Sequence, residues 1–230
     1  TTGNRNIAIG YGAMYQTAGD AGDAPASIDN IFVGYLAGGG DWANDAASNF
    51  NIGIGNNVMD AVMDGATYNT AMGYSALSAV TEADGNVAIG NSAGVAITTG
   101  GYNVIVGTGA GTVTTASSSN VIIGYNACTA DMTYLANGTV AVGQSAGTAI
   151  TAPTHGEENT LIGSSAGTAL TVGDGNVAVG AFALDAEVTG HKTTAIGYSA
   201  LSAQANGSDI DALNTAVGYK AGTAITTGME

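Results

Sequence analysis

A nine-residue phrase repeated twelve times limits what this chain can become. It reads Asn-[Thr/Val/Ile]-x-[Ile/Val/Met]-Gly-x-x-Ala-[Gly/Leu/Met], with clear copies starting at Asn69, Asn86, Asn159, Asn176 and Asn214. Further copies start at Asn6, Asn30, Asn51, Asn103 and Asn120, and at Thr139 and Thr193, where threonine replaces the asparagine. The fifth residue is glycine every time: Gly10, Gly34, Gly55, Gly73, Gly90, Gly107, Gly124, Gly143, Gly163, Gly180, Gly197 and Gly218. The spacing between successive glycines never falls below 17 residues and reaches 24 between Gly10 and Gly34. A fixed floor with variable excess is what a stack of coils gives when each coil is free to carry a loop.

Each phrase is followed by a weaker element, such as Val95-Ala96-Ile97-Thr98, Thr148-Ala149-Ile150-Thr151 or Thr223-Ala224-Ile225-Thr226. One coil is therefore expected to hold two short strands and two turns. Frequent glycine among Thr, Val and Ile opposes helix and favours strand. The glycine closes the first strand, at a corner that needs positive φ or has no room for a Cβ. The asparagine opens it, and stacked asparagines can form an amide ladder at the strand spacing of about 4.8 Å. The expected fold is all-β: a parallel β-solenoid, or β-roll, of twelve two-stranded coils in one domain spanning 1–230. Its units start at 6, 30, 51, 69, 86, 103, 120, 139, 159, 176, 193 and 214.

Alternate strand residues face opposite sides. With the large second and fourth residues (Val87 and Ile89, Val121 and Ile123) turned inward, the third residue faces out, and in no copy is it polar. Phe32, Ile105, Ile122 and Leu161 would then line an apolar strip outside the solenoid, a candidate subunit interface. A second strip follows the glycine, where six coils carry tyrosine: Tyr11, Tyr35, Tyr74, Tyr125, Tyr198 and Tyr219. Aromatic packing at a coil edge is the plain reading of it, and a carbohydrate-stacking surface the sharper one.

Charge narrows the functions open to such a rod. Three basic residues against 18 acidic ones give a net charge of −15. Nucleic acid and anionic membranes are excluded as partners, because phosphate binding needs lysine and arginine. No apolar run is long enough to span a bilayer, so membrane insertion is not expected. All 18 acids lie outside the twelve phrases, and Lys220 is the only charged residue inside one. The longest insertions carry Asp20, Asp23, Asp41, Trp42 and Asp45. These are the candidate ligand or receptor loops, since function commonly rides on loops held by a rigid scaffold. None matches an established calcium loop, so no cofactor is expected, with calcium in the acidic loops the secondary reading.

No catalytic or metal-ligating constellation appears. His155 and His191 stand alone in loops, and Cys128, the single cysteine, reads as a small buried hydrophobe. The chain is not expected to be an enzyme. Ice binding would need Thr-x-Thr pairs on one face, whereas the threonines of Thr-Ala-Ile-Thr are three apart.

Copies such as NVAIGNSAG at Asn86 and NTAVGYKAG at Asn214 resemble the head repeat of trimeric autotransporter adhesins, the YadA-like head, as also found in bacteriophage tail fibres. The resemblance covers nearly the whole chain. It implies a left-handed parallel β-roll assembled as a parallel homotrimer. It also implies a structural, adhesive role outside the cell, at a cell or virion surface, with a host-cell, glycan or matrix receptor as partner. The coils look longer than those of adhesin heads, and neither a coiled-coil stalk nor a membrane-anchor segment is present, which keeps a phage fibre or another extracellular filament open. The chain starts Thr1-Thr2-Gly3 and finishes Thr226-Thr227-Gly228 before its last two residues, the same turn entered from opposite sides. The coil pattern is thus expected to continue past both ends, in a longer fibre or by end-to-end stacking of subunits.

Overall fold

The computed structural model describes residues 4–15, 27–40, 42, 46–130, 132, 136–151, 156–208 and 210–227. Among these the regular elements are twelve three-residue strands, and there is no helix. Contacts divide the chain into two units, Thr1–Ala116 and Ser117–Glu230. The first holds β1 (Ile7–Ile9), β2 (Ile31–Val33), β3 (Ile52–Ile54), β4 (Thr70–Met72), β5 (Val87–Ile89) and β6 (Val104–Val106). The second holds β7 (Val121–Ile123), β8 (Val140–Val142), β9 (Thr160–Ile162), β10 (Val177–Val179), β11 (Thr194–Ile196) and β12 (Thr215–Val217). Within each unit, strands adjacent in sequence are adjacent in space, parallel and in register. Val87 lies opposite Thr70 and Val104, and Val177 opposite Thr160 and Thr194. Each unit is therefore an all-β parallel β-solenoid in which one turn of chain adds one strand.

The expected second strand of each coil is not formed. Ile97 N–H donates to the Gly94 carbonyl at 3.0 Å and Leu170 N–H to that of Gly167 at 3.2 Å, so these segments curl back on themselves. The residue that enters them has positive φ (Gly94 +59°, Gly167 +57°, Leu77 +50°), and an extended run cannot start from that geometry. Backbone bonds still tie them to the next coil, as from Thr98 N–H to Thr115 O at 2.9 Å.

The strands also face the opposite way from the expected one. Phe32, Ile105, Ile122 and Leu161, expected on the outside, are fully buried, and from β2 to β12 the third residue is the buried residue of its strand. A side chain already buried within its own coil cannot form a subunit interface. The asparagine supplies the physical reason. It, or the threonine that replaces it at Thr139, is buried in every coil from Asn30 to Asn176, and with period-two alternation the first and third residues share a face. Second and fourth residues must then point to solvent.

The asparagines form a continuous ladder along the first unit. Asn51 Nδ2 donates to Asn30 Oδ1 at 3.2 Å, Asn69 to Asn51 and Asn86 to Asn69 at 3.1 Å, and Asn103 to Asn86 at 3.0 Å. Each Oδ1 also accepts the backbone N–H of the next asparagine, and the second Nδ2 proton goes to a carbonyl, as from Asn86 to Gly100 O at 2.9 Å. Each amide is saturated, as a buried polar group requires. In the second unit, Asn176 N–H donates to Asn159 Oδ1 at 2.9 Å and Asn176 Nδ2 to Gly190 O at 2.9 Å.

The interior is thin, and third and ninth residues share it by size. Large Phe32, Ile105 and Leu161 stand in coils whose ninth residue is glycine (Gly38, Gly111, Gly167). Small Gly53, Ala71, Ala178 and Ala195 accompany Met59, Leu77, Leu184 and Leu201. A Cβ on Gly38 would lie 2.8 Å from the Phe32 ring, and one on Gly167 2.8 Å from Leu161. This is close packing in which a large side chain at one of the two positions is matched by a small one at the other.

Candidate interaction surface

Turning the strands over leaves an apolar exterior, built from different residues. In both units the outward second and fourth positions are Ile, Val, Met or Thr, with no charge among them. In the first unit the face runs through Ile52, Ile54, Met72, Ile89 and Val104, and in the second through Ile162, Ile196 and Val217, all well exposed. Parallel sheets are ordinarily covered on both faces. Here the inner face is covered by the coil itself and the outer one by nothing among the described residues.

Tyrosines border this face, and some of them pack on one another at the coil edge. Tyr11 and Tyr35 stack on each other at 5.5 Å and 11°, and Tyr198 and Tyr219 at 5.6 Å and 18°. One face of each of these rings is covered by its partner, and all four side chains remain exposed. Lys220 Nζ lies over the Tyr219 ring, 5.4 Å from its centroid. A third stacked pair, Phe50 and Tyr68, lies at 5.0 Å and 8° just ahead of β3 and β4. The sequence pattern missed this pair because it precedes the phrase. The signal was the residue before each asparagine, which has φ of +59° to +60° at Phe50, Tyr68 and Tyr102.

The proposed receptor loops fare differently. Asp20, Asp23, Asp41 and Asp45 lie outside the described residues. Trp42 is buried, edge-on to Phe32 at 5.5 Å and 70°, so it is a core residue and not a loop contact. Phe32 is the largest third-position residue, and it fills space that Gly38 and Gly53 leave open.

At the twelve phrase glycines φ lies between +130° and +144°. A Cβ on Gly73 would stand 2.3 Å from the Gly90 carbonyl oxygen, and one on Gly143 2.4 Å from that of Gly163. Where the next coil's glycine carbonyl stands this close, the corner excludes a side chain twice, by conformation and by contact; at Gly218, whose nearest neighbour would be 3.9 Å away, conformation alone disfavours it.

One polar cluster was not anticipated. Glu187 occupies the interior position that Ile97, Ile150 and Leu170 fill in other coils, and it is fully buried. Its Oε1 accepts N–H bonds from Val188, Thr189 and Gly190 at 2.7–3.1 Å, and its Oε2 accepts from Gln204 Nε2 and Asn206 Nδ2 at 2.8 Å. Gln204 also donates to Thr193 Oγ1 at 3.1 Å, and its Oε1 accepts from Asn214 Nδ2 at 2.8 Å. The cluster thereby serves the coil where threonine interrupts the asparagine ladder. An acid at a core position, followed one coil later by Gln204 at the same position, was the available signal.

Other described titratable groups form ion pairs. His191 is buried with Nδ1 2.5 Å from Asp174 Oδ1, Lys192 pairs with Asp211 at 2.8 Å, and Arg5 grips Asp29 through two bonds of 2.6 and 2.7 Å. The Arg5 hydrogen bond holds the Asp29 carboxyl below the usual range. Among the described residues no three His, Cys, Asp or Glu side chains converge on a metal position. An apolar hollow of about 310 Å³ is lined by Tyr11, Gly12, Tyr15 and Leu36, none of them a proton-transfer pair.

Cys128 is buried, and burial pushes its thiol up to about 12. Because the thiolate is the nucleophile, a thiol reagent at neutral pH is expected to leave the folded protein unlabelled. Labelling should appear only with unfolding. A raised folded-state value also means that stability from this group is present below the unfolded thiol's range, near 9, and is lost as pH climbs from there toward 12. Urea titrations at pH 8 and 11 with Cys128→Ala as reference measure that loss.

No family model matches the chain, and no curated protein or solved structure matches it.

Proposed function

We propose that the chain is a segment of a structural, adhesive fibre at a microbial or virion surface, assembled as a parallel homotrimer through its outward sheet face. One observation carries the proposal: an uncharged aliphatic face on a parallel sheet, repeated coil after coil. A copy of the same chain is the natural cover for it. It offers a face of the same chemistry at the same strand spacing, while the acids that give the net charge of −15 all lie outside the twelve phrases. The resemblance of the phrase to adhesin-head and tail-fibre repeats supports the same assembly. Three chains around one axis would present every inter-coil loop three times, turning weak contacts with a glycan, matrix or cell receptor into avid ones. The role asks nothing of a cofactor or a catalytic group.

Met72→Asp with Ile89→Asp tests the proposal. Both side chains point outward, so the double variant is expected to stay folded by circular dichroism and to dissociate. Its binding to cells or immobilised glycans should fall by about 100-fold or more as multivalency is lost. Ile105→Asp is the contrasting variant: it buries a charge in the interior and should fail to fold. Unchanged mass and unchanged binding in the folded double variant would refute the assembly.

A further inference from the structure

We propose that the stacked pairs Tyr11–Tyr35 and Tyr198–Tyr219 are sites of oxidative dityrosine cross-linking between successive coils. In each pair the two rings are held one strand spacing apart by parallel pairing of the strands that precede them, β1 with β2 and β11 with β12. The four tyrosines are 78, 48, 46 and 73 % exposed in chain order, so an oxidant in solvent reaches both partners of each pair. The repeat contains its own control. Tyr74 occupies the same position in its coil, but its neighbours above and below at that position are Asn56 and Asn91.

The reaction needs a one-electron oxidant, supplied by a haem peroxidase with hydrogen peroxide. Each phenol gives up one electron and its proton. The two phenoxyl radicals couple through ring carbons ortho to oxygen, forming one C–C bond. Each coupled carbon then loses its hydrogen as a proton while each oxygen regains one, restoring both aromatic rings. Two hydrogen atoms leave in all, and one peroxide becomes two waters. Stacked rings must turn edge to edge to couple, which exposed side chains on adjacent strands are free to do. The chain has one cysteine, and it is buried, so no disulfide within the chain can join its coils. The tyrosine pairs would staple β1 and β12, whose outward residues Ile9 and Val217 are 60 and 67 % exposed.

The test treats dilute protein with a haem peroxidase and hydrogen peroxide, then reads dityrosine fluorescence and maps links by mass spectrometry. The expected product is two hydrogens lighter per link, with links joining 11 to 35 and 198 to 219 and none at Tyr74. Tyr35→Phe should remove the first link only and Tyr219→Phe the second only, and the double variant should fall to background. Phenylalanine keeps the ring stack, as Phe50 does against Tyr68, so these variants should retain the fold. A 1:1 mixture of isotopically light and heavy chains separates links within a chain from links between chains. No dityrosine, links made only between chains, links at Tyr74 as frequent as at the pairs, or signal persisting in the double variant would each overturn the proposal.

Discussion

Replacing Gly73 by alanine is expected to cost about 4 kcal/mol or more and to open the coils on either side of it. The added Cβ would sit 2.3 Å from the Gly90 carbonyl oxygen and 2.6 Å from its carbonyl carbon, and backbone cannot swing aside as a long side chain would. The residue's φ of +139° adds strain that alanine carries and glycine does not. Relief requires moving two coils apart, and with them Gly90 N–H, which donates to Met72 O at 2.8 Å. Gly207→Ala is the matched control, because a Cβ there meets nothing within 4 Å, and it should change stability by no more than about 0.5 kcal/mol. Urea unfolding of both variants checks the contrast.

The second large effect is expected from Asn86→Leu, similar in size and empty of hydrogen bonds. Asn86 makes two bonds to Asn103 through Oδ1 and two through Nδ2, to Asn69 Oδ1 and Gly100 O, all between 2.9 and 3.1 Å in a fully buried place. Leucine would strand those partners without water, at about 1–3 kcal/mol for each group left unpaired. A total loss of about 3–5 kcal/mol follows, since neighbours relax and share what remains. Asn86→Thr should cost visibly less. Threonine already stands in this column at Thr139, where Oγ1 donates to Gly156 O at 3.4 Å and the N–H to Asn120 Oδ1 at 2.9 Å.

The strand positions were legible in the sequence because one signal, the glycine corner, marks the end of each: all twelve strands occupy the three residues before it. The direction of their side chains was misread for a physical reason. Size pointed Val and Ile inward, but the buried hydrogen-bonding column of asparagines outranks size, and it sits in phase with the third residue. Had the expected amide ladder been carried through period two, Ile105 and Leu161 would have gone inside and Ile89 and Ile162 outside. The missing second strand has a similar origin. Val95-Ala96-Ile97-Thr98 has strand composition, yet Gly94 at φ +59° starts it as a turn, and Ile97 serves as a core plug without a ladder. Trp42 and Glu187 were hidden because each belongs to a single coil, where a repeat pattern carries no information.

Closure of the outward aliphatic face by copies of the chain is tested most directly by the native molar mass. Light scattering on the purified protein at micromolar concentration should give the mass of three 22.3 kDa chains, stable to salt because the contact is apolar. A folded species with the mass of one chain, persisting as concentration rises, would contradict it.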